Sequence, residues 1–310
     1  MPNYSHRSDH DEMELLVRAA ISRFPESSRW LLPSLLALRR YHTPDDAYYR
    51  CCVDAALAQT GMTDTPLRRR LHELPYRFFA EQLHFKYARI EVLRRTPLAI
   101  RNRDQAAAVL RAARARGQGV ILGCSHFGST CYAVLALTGV VDELMMLSDD
   151  PTEDVLALCR KAGEAASTRI EPVKSDATAG LPLLRQLRRG GVVAAMLDSY
   201  YGTASDLAVP FMGQPAAASA GLYTIAARCS ALVLPLALIR TGKGFEMELG
   251  EPIEASQGAQ RTCSAVHAFF EACIRAHPDQ WMSWPNLLAR WQAVAAPADI
   301  QAPLPALDAP

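Results

Sequence analysis

No run of roughly 18 consecutive apolar residues occurs anywhere in this 310-residue chain, so the sequence offers no candidate for a membrane-spanning helix. The opening stretch Met1 to Glu14 is polar and carries several charges, which also argues against a secretory signal. Charge of one sign is missing as well. The 33 basic and 32 acidic side chains leave a formal net charge of +1, so no global field favours nucleic acid or a strongly anionic surface. No two of the eight cysteines stand in Cys-x-x-Cys spacing, which removes the usual structural zinc site. Cys229 and Cys273 fall in apolar contexts where a free thiol acts as a small hydrophobe. His6 and His10 near Asp9, Asp11 and Glu12 read as a solvated tail, not a metal site. There are no internal repeats. These absences together predict a cytoplasmic globular protein with no metal, no nucleic acid partner and at most peripheral membrane contact.

What is present is an alternation. Helical patterns cover Met13 to Phe24, Trp30 to Arg39, Asp45 to Ala58 and Pro66 to Tyr87, separated by Pro, Ser, Gly and Thr breaks. Ile90 to Ile100 carries a short strand pattern. Asn102 to Arg116 is amphipathic, with Ala106, Val109, Leu110 and Ala113 on one side and arginines on the other. From Gly119 onward strand-like runs (Gly119 to Leu122, Leu144 to Leu147, Thr168 to Val173, Val192 to Leu197) alternate with helical ones (Cys131 to Leu137, Thr152 to Ala165, Ala179 to Arg189). A helix over Pro215 to Cys229, strands over Leu232 to Ile239 and Gly244 to Leu249, and a helix over Ser264 to His277 follow. Such alternation predicts an α/β fold with crossover helices. The expected organisation is an N-terminal helical lobe over 1–95, an α/β domain over 96–294 and an Ala/Pro-rich tail over 295–310.

Chemistry concentrates at Cys124-Ser125-His126-Phe127-Gly128-Ser129-Thr130-Cys131. Val120 to Leu122 form a short buried strand, Gly123 lets the backbone turn, and a helix starts at Cys131, so His126 falls at a strand-to-helix junction. Imidazole takes and returns a proton near neutral pH, which makes His126 a candidate general base; a His that satisfies a buried hydrogen bond is the competing reading.

The segment Ser125-His126-Phe127-Gly128-Ser129-Thr130-Cys131 resembles the Gly-His-Phe-Gly-Asn-Trp-Glu block of the late acyltransferases of lipid A biosynthesis, within the lysophospholipid-acyltransferase-like superfamily. The order of later landmarks carries the resemblance further. Gly190-Gly191-Val192-Val193, Leu197-Asp198-Ser199-Tyr200-Tyr201-Gly202, Val209-Pro210-Phe211-Met212-Gly213-Gln214-Pro215-Ala216-Ala217 and Pro278-Asp279-Gln280-Trp281-Met282-Ser283-Trp284 follow in the family's sequence of blocks. The resemblance spans about Asp45 to Trp291. It implies a central mixed sheet flanked by helices, a helical N-terminal extension, and transfer of an acyl group from a carrier thioester. No tightly bound cofactor is implied; the donor is linked to phosphopantetheine, on coenzyme A, an acyl carrier protein or a peptidyl carrier domain.

Two departures stand out. The apolar N-terminal membrane helix usual in members that act on lipid A is missing, and the acid five positions after the family's His is Cys131 here. Three readings of the site follow. Cys131 is a nucleophile that carries the acyl group as a thioester, with His126 drawing its proton; or His126 works alone or with Asp198 while Cys131 packs; or the site is inactive and the protein only binds an acyl carrier or lipid. A thioesterase using water at the same site is a further alternative. Cys124 ranks behind Cys131 as a thiol, and Ser125 and Ser129 read as caps. Gly128 and the first helix amides are candidates for the oxyanion, Ser129 lines the same turn, and Lys174 is a candidate contact for a phosphate, with a solvated lysine as its competing reading. Trp281, Trp284 and Trp291 line an acyl groove or, more commonly at such spacing, a core. The expected activity is acyl or aminoacyl transfer to an acceptor other than lipid A, a carrier-bound or small intermediate of a natural-product pathway.

Overall fold

The computed structural model describes residues 15–28, 32, 44–101, 103–148, 152–200, 206–242 and 244–295. The expected helix Trp30 to Arg39, the His6 and His10 cluster and nearly all of the Ala/Pro-rich tail lie outside them. The elements in chain order are α1 (15–23), α2 (Pro44–Thr60), α3 (Thr65–Tyr87), α4 (Ile90–Arg94), β1 (Leu98–Ile100), α5 (Arg103–Ala115), β2 (Val120–Cys124), α6 (Thr130–Ala136), β3 (Glu143–Ser148), α7 (Glu153–Ala166), β4 (Arg169–Lys174), α8 (Gly180–Arg188), β5 (Val192–Met196), β6 (Asp206–Phe211), β7 (Gln214–Ser219), α9 (Gly221–Cys229), β8 (Leu232–Arg240), β9 (Phe245–Leu249), β10 (Ile253–Glu254), α10 (Ala259–Ala276) and α11 (Trp284–Ala295).

The central sheet runs β1-β9-β8-β2-β5-β3-β4, with β10 added to β8; β6 and β7 form a separate hairpin. Pairing is parallel from β8 through β2, β5, β3 and β4, while β9 and β10 lie antiparallel to β8, so the sheet is mixed as the resemblance implies. Helices cover both faces, which is why β2 is buried at every position and reads as an uninterrupted apolar run. Alternation still sorts its side chains: Val120 and Leu122 join one core with Phe85, Tyr132 and Leu144, and Ile121 joins the other with Phe211, Phe270 and Trp281. Helix α3, capped by Asp64 accepting from Leu67 N at 2.9 Å, sends Leu71 and Leu74 into the second core and Tyr76, Ala80 and Leu83 into the first. The N-terminal helical region and the sheet therefore share both cores.

Two expectations need correction. Ile90 to Arg94 is helical, leaving only Leu98–Ile100 as strand, because Pro97 separates the two. The predicted helix Pro215 to Cys229 begins only at Gly221; its first residues belong to β7. The hairpin turns at Met212 (φ 55°) and Gly213 (φ 86°), two left-handed residues of the kind a two-residue hairpin loop requires. Its Pro210 and Pro215 face each other across the ladder, so neither residue of that pair supplies an amide.

On α10, fully buried His267 donates from Nδ1 to Cys263 O (2.9 Å) and packs edge-on against Phe211 and Phe270. Burial first, and the Arg290 charge second, push its pKa from 6.5 down to about 3. The unfolded chain takes up this proton at higher pH than the folded one. The stabilisation from a neutral His267 is therefore complete above 6.5 and declines as pH falls, by about 1.4 kcal/mol per pH unit. Urea unfolding between about pH 6.5 and 5, a window above carboxylate titration, should show this slope. His267→Leu should reduce it by about one proton; an unchanged slope would mean the ring is hydrated or already charged.

Candidate active site

The site grows from the carboxyl ends of two adjacent parallel strands. Cys124, the last residue of β2, is in register with Met196, the last of β5, and Leu197 N extends the pairing to Cys124 O at 2.8 Å. Two residues beyond each strand end stand His126 and Asp198, so strand register alone brings them side by side. Such carboxyl ends are where open α/β sheets bind ligands.

Asp198 is fully buried and every contact on it is a donor. Its Oδ1 accepts from His126 Nδ1 at 2.8 Å; its Oδ2 accepts from His126 N at 2.8 Å, Trp281 Nε1 at 2.7 Å and Ser283 Oγ at 3.5 Å. Burial alone would raise its pKa, but the His126 charge and the donors of His126 and Trp281 outweigh this and hold it below its usual value. An ionised carboxylate only accepts, so it fixes the proton on His126 Nδ1 and leaves Nε2 as the unprotonated nitrogen of the neutral ring. The His126 side chain retains 31% exposure, which keeps that nitrogen reachable.

The loop after His126 is pinned by the C-terminal segment. Phe127 pairs with Trp281 in an antiparallel bridge, Met282 N donates to His126 O at 2.8 Å, and Gly128 N donates to Gln280 O at 2.9 Å. Gly128 is at φ 59° and a Cβ there would meet Leu238 O at 2.1 Å, so only glycine fits. Its amide, a candidate for the oxyanion from sequence, is thus already committed to Gln280. Gln280 also clamps Arg240, accepting from Arg240 N at 2.6 Å and donating to Arg240 O at 3.1 Å. The Arg240 guanidinium in turn forms a buried two-point ion pair with Glu81, at 2.6 and 2.7 Å. Sequence reading placed Trp281 in a groove or core and left Gln280, Ser283, Glu81 and Arg240 without a part in the site. Their signals are tertiary, since each depends on which backbone lies opposite.

The other sequence candidates fall around this pair. Ser129 occupies the N-cap position of α6 without capping it; its Oγ lies 3.2 Å from Cys131 Sγ. Burial pushes the Cys131 thiol up to about 12 despite the Ser129 contact, with the Glu81 charge adding to the rise. Cys124 is also pushed up to about 12 by burial. Ser125 Oγ is buried and has no hydrogen-bond partner, so it does not serve as a cap either. Lys174 is exposed at the end of β4, where its neighbours Ser175 and Asp176 line the cavity and Lys174 does not.

That cavity, of about 770 Å³, has both His126 and Cys131 in its wall. Sites for small molecules commonly occupy roughly 300 to 1,000 Å³. Its wall draws on both faces of the sheet: Leu122, Leu144, Val134 and Leu158 belong to the core that holds α6 and α7, and Leu183, Leu197, Leu222 and Tyr223 to the core that holds α8 and α9. Polar groups are few, so the lining suits an apolar chain.

No helix among the described residues is long and apolar enough to cross a membrane. Comparison with individually curated proteins gives no match. Residues 80–292, more than half of the chain and the stretch that holds His126, Asp198 and the Trp281 segment, match the family model described as bacterial lipid A biosynthesis acyltransferase; the chain belongs to that family and is an acyltransferase.

Proposed function

We propose that the protein moves an acyl or aminoacyl group from a phosphopantetheine-linked thioester to a hydroxyl or amine acceptor other than lipid A, with His126 and Asp198 as its acid–base pair. The donor is carried by an acyl carrier protein, a peptidyl carrier domain or coenzyme A, and the acceptor is a carrier-bound or small intermediate of a natural-product pathway. One observation carries the reading: a histidine held through Nδ1 by a buried carboxylate at 2.8 Å stands in the wall of an apolar cavity. His126 Nε2 takes the acceptor's proton as its oxygen or nitrogen attacks the thioester carbonyl. The tetrahedral intermediate then expels the thiolate, which recovers that proton from the imidazolium. Asp198 stabilises the imidazolium between the two transfers without itself taking a proton. The family block's acid is Cys131 in this chain, and this favours an amine acceptor, a stronger nucleophile that needs less activation.

Cys131 belongs to the wall in this reading. A thiol at about 12 is un-ionised at neutral pH, and the contact of its sulfur with Ser129 Oγ suits packing. Cys131→Ala is expected to keep activity within about threefold of the parent, since no transition-state contact is removed. Intact-mass spectrometry after incubation with acyl-carrier and coenzyme A thioesters should find no acyl adduct on the chain. An adduct at Cys131, or a loss beyond about a hundredfold on Cys131→Ala, would replace the direct mechanism by a covalent one. The activity itself is tested by following labelled acyl groups from these donors with amine, alcohol or no acceptor. Free acid as the main product would make the protein a hydrolase, and binding without turnover would make it a noncatalytic carrier-binding protein.

A further inference from the structure

Sulfur is concentrated in the wall of the cavity. Of the 36 described residues that line it, six carry a sulfur atom, whereas the whole 310-residue chain has eight cysteines and nine methionines. Rings are scarce in the same wall: Tyr223 is the only Phe, Tyr or Trp among those 36 residues. Small-molecule sites ordinarily mix aliphatic with aromatic side chains. In this one the soft, polarisable groups are thioethers and thiols.

Strand register gathers them. Cys124 at the end of β2 pairs with Met196 at the end of β5, and Met146 on β3 pairs with Ala194, two residues before Met196. Side chains two apart share a face of a strand, so Met146, Met196 and Cys124 form a row over three adjacent strands, roughly 10 Å long at about 4.8 Å per strand. All three belong to the core that holds α6 and α7, as do Met247 on β9 and Cys131 on α6, and Cys159 on α7 is the sixth sulfur of the wall. Met146, Met196 and Cys131 are only half-buried, so a guest in the cavity reaches them. Burial pushes the Cys124 and Cys131 thiols up to about 12, so both present neutral sulfur. His126 follows Cys124 by two positions, and the row therefore begins beside the general base.

Sulfur is attracted to aromatic rings, each contact being worth about two- to tenfold in binding. A saturated chain gains only ordinary packing from the same atoms. A wall that presents sulfur and almost no rings is complementary to a ring on its guest.

We propose that the acyl group this enzyme transfers is aromatic, an aryl or arylalkenyl carbonyl whose ring lies along Met146, Met196 and Cys124 with the thioester toward His126. The inference rests on reading the cavity as the place of acyl transfer and deepens it by naming the class of acyl group.

Cinnamoyl-pantetheine and nonanoyl-pantetheine test it, since their acyl groups have the same number of carbons and pantetheine is the arm common to all the donors considered. Binding is measured by calorimetry on the His126→Ala chain, so that turnover does not intervene. Burial of apolar surface alone favours the nonanoyl chain, the more hydrophobic of the two. The cinnamoyl compound should nonetheless bind at least about fivefold tighter. The Met146→Leu/Met196→Leu double variant keeps volume and apolarity and removes two sulfurs. It should cut that ratio at least about threefold, while nonanoyl affinity stays within about twofold and so reports an intact cavity. Should the double variant not fold, Met196→Leu alone must lower the ratio in the same direction. Binding of neither compound, equal or tighter binding of the nonanoyl one, or a ratio that survives these changes overturns the inference. With the parent chain, transfer of labelled nonanoyl in preference to cinnamoyl groups would sink the aromatic assignment alone. A cinnamoyl preference in binding without transfer to any acceptor would sink the proposed activity alone.

Discussion

Replacing Asp198 by Asn should lower the acyl-transfer rate by about 10³- to 10⁴-fold with the fold retained. The carboxylate accepts from Nδ1 and the backbone N–H of His126 and from Trp281 and Ser283, and an amide has only one oxygen for these donors. If the amide oxygen stays with Trp281 and His126 N, its NH₂ faces Nδ1. The imidazole must then carry its proton on Nε2, the nitrogen that has to take one from the acceptor. His126→Ala should lose a similar factor, and the double variant little more than either single one, because the two side chains act as a unit. Initial rates with labelled carrier thioester, alongside near-UV circular dichroism to verify folding, decide the matter. A folded Asn variant within tenfold of the parent would remove Asp198 from the chemistry.

Glu81→Ala is expected to destabilise the protein by about 3 to 5 kcal/mol. It leaves the Arg240 guanidinium, whose side chain is 8% exposed, without its counter-ion in a place where Nη1 already lacks a partner. Domains of this kind have only about 5 to 15 kcal/mol in hand, so the urea midpoint should fall steeply. The damage should also reach the site, since Arg240 holds Gln280 and Gln280 accepts the Gly128 amide. Pairing the change with Arg240→Met should recover most of the stability, as removing both charges leaves nothing buried and unpaired. A loss below about 1 kcal/mol for Glu81→Ala would indicate that water reaches the guanidinium and that the pair behaves as a surface one.

The alternation of apolar strand runs and helices was legible because the central strands β2 and β8 are buried on both faces, and so was the junction that carries His126. The partnership with Asp198 was legible only as one of several readings. It follows from β2 lying beside β5, which pattern alone does not state, though once known the register fixes it. The β6–β7 hairpin was obscured by its composition: Gln214-Pro215-Ala216-Ala217-Ala218-Ser219 has no β-branched residue, and alanines of this kind read as helix. Packing under α10 and α11 overrode that propensity. α11 itself escaped because Trp284 and Trp291 were weighed with Trp281 as groove or core aromatics and not as one helix face, although both are buried with Leu287. The Glu81–Arg240 pair joins residues 159 positions apart, and no local pattern announces such a pairing.

The bridge formed by Phe127 with Trp281 also bears on when during synthesis this enzyme becomes competent. A ribosome that has made β2 and β5 has already supplied His126 and Asp198, yet the indole that donates to the carboxylate, and the amide that holds the His126 carbonyl, come from residues 281 and 282. Until that stretch emerges, a buried anion would lack two of the donors that make its burial tolerable. On the proposed mechanism, activity therefore waits on residues 281 and 282, and a polypeptide released before them would carry His126 and Asp198 without the setting in which they would work.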